Sequence, residues 1–118
     1  MKVDLEKYTI ISKTFQGTNL KISFQHRDNV ADKKILELKD VAGFIENNPK
    51  GKPICILAIN EKGGSYNLDL SLRLRNPAIN SFPEVFIFVD PDCMDFCFRA
   101  AAKFIDFRDW TEQDKCLP

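Results

Sequence analysis

The segment SYNLDLSLRLR, residues 65–75, alternates without a break. Tyr66, Leu68, Leu70, Leu72 and Leu74 fall on one side of an extended chain, and Asn67, Asp69, Ser71, Arg73 and Arg75 on the other. Successive side chains leave a strand on opposite faces, so this pattern reads as a strand with one dry and one wet face. A chain that contains it must build a sheet and must supply apolar cover for the dry side.

Other segments give strands of the same kind. YTIISKTF and LKISFQHR flank QGTN, and the glycine permits a tight turn, so residues 8–27 read as a hairpin. In its second arm Leu20, Ile22 and Phe24 alternate with Lys21, Ser23 and Gln25. PICILAIN is apolar almost throughout, as a strand covered on both faces would be. EVFIFV is another apolar strand, reached through a loop with two prolines, NPAINSFP.

Two segments read as helices. From Asp32 to Asn48, Ile35, Leu38, Ala42 and Ile45 recur at three- and four-residue steps, widened by Val41 and Phe44. Gly43 inside such a helix costs about 1 kcal/mol relative to alanine. An alternative is therefore a shorter helix capped by Asp40, with KILEL extended before it. The second helix is placed at 91–107. Asp90 serves as its N-cap, Pro91 as its first residue and Asp92 as a first-turn acid favoured by the helix dipole. Met94, Cys97, Phe98, Ala101 and Ile105 form its stripe, and Asp95 pairs with Arg99 four residues on.

The expectation is thus one α+β domain over residues 1–118, in the order ββαβββα, with a mostly antiparallel sheet and two helices packed on one face. A chain of 118 residues suits one domain and buries roughly two-thirds of its unfolded surface.

The chemistry on offer is sparse. Asp90 and Asp92 follow an apolar strand, as metal-holding acids do in phosphate enzymes, but no glycine-rich loop cradles a phosphate before them. Cys93 and Cys97 are four apart, and the other ligand candidates, His26, Cys55 and Cys116, are scattered. Structural zinc needs four ligands, commonly in close pairs. No metal or cofactor is expected. His26, the one histidine, sits at a strand end with no partner set, and Cys55 reads as a small core residue.

Formal net charge is zero, which argues against a nucleic-acid binder held by phosphate contacts. Residues 1–83 carry 13 basic and 9 acidic side chains, net +4, and residues 84–118 carry 4 and 8, net −4. That split reads as a neutral domain with unevenly coloured faces or, more sharply, as a polarised surface that orients a partner. No secretory leader and no apolar run of ~20 residues is seen, so the chain reads as cytoplasmic and not membrane-bound.

What remains is a surface. Asn67, Asp69, Ser71, Arg73 and Arg75 present a polar strand face with two planar guanidinium forks. Trp110, among the acids of FRDWTEQDKCLP, either closes the core or anchors a partner. The expected role is a small protein-binding module of inhibitor, immunity-protein or adaptor type, with its partner on Asn67 to Arg75 and Trp110. The alternative is a small enzyme using Asp90 and Asp92 with a metal ion, or acid–base chemistry at His26. Monomer and homodimer both stay open, because a sheet edge can pair with a second copy.

Overall fold

The structure, a computed structural model, describes residues 1–47, 53–61 and 82–114. They form one antiparallel sheet of seven strands: β1 (Lys2–Asp4), β2 (Tyr8–Gln16), β3 (Asn19–His26), β4 (Lys33–Glu46), β5 (Ile56–Asn60), β6 (Glu84–Phe88) and β7 (Phe96–Asp109). Their order across the sheet is β1-β5-β6-β7-β4-β3-β2. A 3-10 turn follows at Glu112–Asp114. Among the described residues no helix is long and apolar enough to cross a membrane.

The α+β expectation is overturned. Residues 33–46 and 96–109, where the helices were placed, are the two longest strands, paired with each other from Lys34↔Asp109 to Glu46↔Phe98. KILEL is extended, as the alternative had it, but no helix begins at Asp40.

The reason is visible in the register. Leu36, Leu38 and Val41 pack into the main core, and Phe44 stacks on Phe98. These steps are two, three and three residues. Asp40 adopts a left-handed conformation (φ 54°), and the pairing with β7 shifts between Val41 and Gly43. The pairing keeps its register across Asp40, from Lys39↔Phe104 to Val41↔Ala102, and the bulge at Val41/Gly43 adds one residue to β4 and bends it. A two-residue period interrupted twice then imitates a helical one. In β7 the run Ala100, Ala101 and Ala102 favours helix intrinsically, yet all three are fully buried, with Ala100 opposite Phe44 and Ala101 opposite Gly43. Packing against the facing strand decides there, as it commonly does in sheets.

The sheet cannot lie flat. Six inter-strand spacings of ~4.8 Å would put β1 and β2 roughly 29 Å apart. Only Leu5, Glu6 and Lys7 join them, and four residue steps span at most ~14 Å. The sheet therefore curls until its edges approach. The hand-over is visible: the Leu5 amide donates to the Cys55 carbonyl at 2.8 Å on the β5 side, and the Arg27 amide donates to the Lys7 carbonyl at 2.8 Å past the end of β3.

One core fills the curl. Leu20, Ile22 and Phe24 meet Leu36 and Leu38, Leu57 and Ile59, Val85 and Ile87, and Phe98, with Leu5 sealing the junction. A second, smaller cluster of Ala42, Ile45, Phe82 and Ala101 lies apart from it, and β6 is buried along its whole length.

Candidate functional site

The inward face of the sheet ends at one mouth of the curl in polar groups. Ile10 pairs with Phe24, and two residues further on Tyr8 pairs with His26. Leu36 pairs with Phe107, and two further on Lys34 pairs with Asp109. Phe24 and Phe107 touch at 6.1 Å between ring centroids, so Tyr8, His26, Lys34 and Asp109 sit as a rim over an apolar floor. Mouths of curled sheets are common binding positions for this reason.

The rim is tied together. Tyr8 Oη donates to Asp32 Oδ2 at 2.6 Å. Lys34 Nζ donates to Asp109 Oδ1 and lies 3.7 Å from Asp32 Oδ1. The His26 ring stands edge-on to Tyr8 at 5.2 Å. The Asp28 amide donates to His26 Nδ1 at 3.0 Å, so the proton of the ring lies on Nε2 in that arrangement. The loop holding Asp32 is fixed by its own backbone, with the His26 amide donating to the Asp32 carbonyl at 2.9 Å and the Asp32 amide to the Asn29 carbonyl at 3.0 Å.

These partners set the protonation of the rim. The hydrogen bond to Asp32, then burial, holds the Tyr8 phenol above its ordinary value. The hydrogen bond to Asp109, with the nearby Asp109 and Asp32 charges, holds the Lys34 ammonium above its own. Both groups keep their protons at neutral pH. Tyr8 and Lys34 therefore serve the rim as hydrogen-bond donors.

Trp110 lies next to it. Its amide donates to the Lys33 carbonyl at 3.0 Å, which extends the β4–β7 ladder by one bond. Lys33 Nζ stands 4.8 Å from the centre of the indole, within cation–π range. Trp110 is only half-buried. It both closes the end of β7 and presents an aromatic surface.

Of the other residues singled out in the sequence, Asn67, Asp69, Ser71, Arg73 and Arg75 lie outside the described residues, as does Cys116. Asp90 caps no helix. It organises the β6–β7 loop: Oδ1 accepts from the Met94 amide at 3.0 Å and the Asp95 amide at 2.9 Å. Cys93 takes a left-handed conformation there (φ 57°). Asp92 is exposed. Among the described residues no group of three His, Cys, Asp or Glu side chains could hold a metal ion. Burial, then a 3.5 Å contact with Glu6, pushes the Cys55 thiol up to about 11, and burial raises Cys97. Neither is poised as a nucleophile, because the thiolate is the reactive form.

Arg99 does not pair with Asp95. On β7 it reaches Glu84 of β6, with Nη2 at 2.7 Å and Nε at 3.1 Å from Oε1. Its guanidinium lies 4.9 Å from the Phe86 ring and 5.5 Å from Phe96.

Lys34 with Asp109, and Lys21 with Asp114, pair basic residues of the first part with acids of the last. Sequence reasoning missed Tyr8, Asp32, Lys33 and Lys34, because only the register of four strands brings them together. Tyr8 and His26 at the open ends of the predicted hairpin were the available signal.

The geometry defines a curled, all-antiparallel β domain with a polar, aromatic-flanked rim. Comparison with protein-family models, with curated proteins and with solved structures finds no match to this chain.

Proposed function

We propose that this protein is a small binding module that acts on a protein partner by surface complementarity, in the manner of an inhibitor, immunity protein or adaptor. The observation that carries this reading is Trp110, half-buried and stacked under Lys33 beside the rim of Tyr8, His26, Asp32 and Lys34. Rigid aromatic anchors ringed by polar groups are what interface hot spots are made of. Rim donors that hold their protons suit recognition better than acid–base turnover. The polar residues Asn67, Asp69, Ser71, Arg73 and Arg75, expected from the sequence alternation to share one side, are proposed as a second part of the same interface.

A cytoplasmic location belongs to the same proposal. It is supported by free thiols at Cys55, Cys93 and Cys97, which oxidising compartments tend to pair. The zero net charge favours a protein partner over a polyphosphate backbone.

The test is capture from a host lysate followed by mass spectrometry, with Trp110→Ala and Arg73→Glu/Arg75→Glu run in parallel. The expected result is a partner retained by the wild type and lost from both variants at unchanged melting temperature. Retention by both variants would place the interface elsewhere.

A further inference from the structure

The two mouths of the curl differ in chemistry. Tyr8, His26, Lys34 and Asp109 stand at one end of β2, β3, β4 and β7. At the other end Phe15 pairs with Leu20 and Lys13 with Ile22. Leu20 and Ile22 are core residues, so Phe15 and Lys13 face inward. Phe44 and Glu46 lie at the far end of β4, where Glu46 pairs with Phe98. Rings close this mouth: Phe15 lies 5.1 Å from Phe44, and Phe44 lies 6.3 Å from the fully buried Phe98.

The closure is incomplete. Phe15 is 46% exposed and Phe44 39%. Paired phenyl rings left open to water favour an apolar occupant. Beside them Lys13 Nζ lies 3.3 Å from Glu46 Oε2, with both side chains partly exposed. The patch is thus an aromatic centre bordered by one cation and one anion.

That arrangement selects the occupant. A partner of one sign, whether an acidic peptide, a polyphosphate or an anionic lipid surface, meets one attraction and one repulsion there. A surface that also carries a cation and an anion beside paired rings meets two attractions. The chain has such a surface in this same patch. Under a two-fold axis the patch faces its own copy, and the lysine of each protomer comes beside the glutamate of the other. Each internal ion pair stays closed, and the two pairs lie head to tail.

We infer that this protein forms a two-fold homodimer, joined mouth to mouth through Phe15 and Phe44, with Lys13 and Glu46 fixing the orientation. Ring burial at the centre supplies the attraction, and the charges form a polar border that adds little affinity and sets the register. The edge of the sheet is not the route. Edge strand β2 carries a bulge between Ile10 and Ser12 and the inward charge of Lys13, two features that keep edges from pairing. The polar rims lie at the far ends and stay open, so the dimer displays two of them and gains avidity for a repeated target. None of this depends on what the rim binds.

Sedimentation velocity of the full chain over a concentration series is the test. The wild type should pass from monomer to dimer. Phe15→Ser with Phe44→Ser should weaken association about tenfold or more. Phe104→Ser should leave it unchanged, although that ring is 61% exposed, because it lies on the other face of the β4–β7 ladder. Lys13→Glu and Glu46→Lys each put like charges across the axis and should each weaken self-association about tenfold or more, while an equimolar mixture of the two should dimerise at least as tightly as the wild type. If the double serine variant does not fold, Phe15→Ser alone, on the edge strand, gives the same comparison. A wild type that stays monomeric throughout overturns the homodimer. So does a dimer that survives loss of the rings, or a charge-variant mixture no tighter than its components.

Discussion

Arg99 of β7 and Glu84 of β6 form an ion pair in which the guanidinium is 3% exposed and the carboxylate fully buried, joined at 2.7 Å. Phe86 and Phe96 lie on the guanidinium at 4.9 and 5.5 Å, so little water reaches it. Removing one member of a buried pair takes this contact from the desolvated charge that remains, at a cost of about 3–5 kcal/mol. Arg99→Ala should lose stability on that scale in urea denaturation. Glu84→Leu with Arg99→Met, which removes both charges and keeps the volume, should recover most of it.

The rim makes stability fall in alkali. The Tyr8 and Lys34 protons are held above the ordinary values of 10.0 and 10.5. The native state therefore binds these protons more tightly than the unfolded chain does. Their contribution is whole below the unfolded values and is lost as pH climbs through the folded ones. Melting temperature should decline above about pH 10, and Tyr8→Phe should flatten part of that decline. A melting curve of Tyr8→Phe that parallels the wild type across this range would show that the bond to Asp32 carries no linkage.

Thiol reactivity should follow burial. Cys55 and Cys97 are buried, and burial with the Glu6 contact pushes Cys55 up to about 11. Cys93 is half-exposed on a loop. Iodoacetamide near neutral pH, followed by peptide mass mapping, should modify Cys93 well before Cys55 or Cys97. Prior labelling of Cys55 would mean that the β1–β5 edge opens readily.

The corner of β4 depends on Asp40. A short polar side chain tolerates its left-handed conformation (φ 54°), whereas a β-branched one does not. Asp40→Val should cost about 1–2 kcal/mol, and Asp40→Asn should be close to neutral. Equal stability of the two variants in denaturant would remove the backbone from the explanation of the bend.

The parts of this fold that keep strict alternation were legible in the sequence. Leu20, Ile22 and Phe24 gave β3, and Gly17 marked the hairpin turn, where it takes φ 63°. The apolar runs of β5 and β6 read correctly as strands. The long strands were illegible because the left-handed Asp40 and the one-residue shift at Val41/Gly43 break the alternation of β4, while small residues of β7 fit against Phe44 and Gly43. Local propensity points to helix there, and only the facing strand overrides it. Asp90 shows the same ambiguity: an aspartate before proline can cap a helix or, as here, gather the amides of a hairpin loop. Trp110 was legible as a residue of interest. Its setting was not, since Lys33 lies 77 positions away and meets it only through the β4–β7 ladder.

That ladder is the spine on which the rim and the Trp110 surface both depend. Nuclear Overhauser spectroscopy of the ¹³C,¹⁵N-labelled chain tests it most directly. Cross-strand contacts between Leu36 and Phe107 and between Leu38 and Ile105, with strong sequential Hα–HN contacts through residues 33–46, are expected from the pairing. Contacts between residues three apart along 33–46, with no cross-strand set to β7, would mean helices there. Trp110 would then have no fixed place beside Lys33.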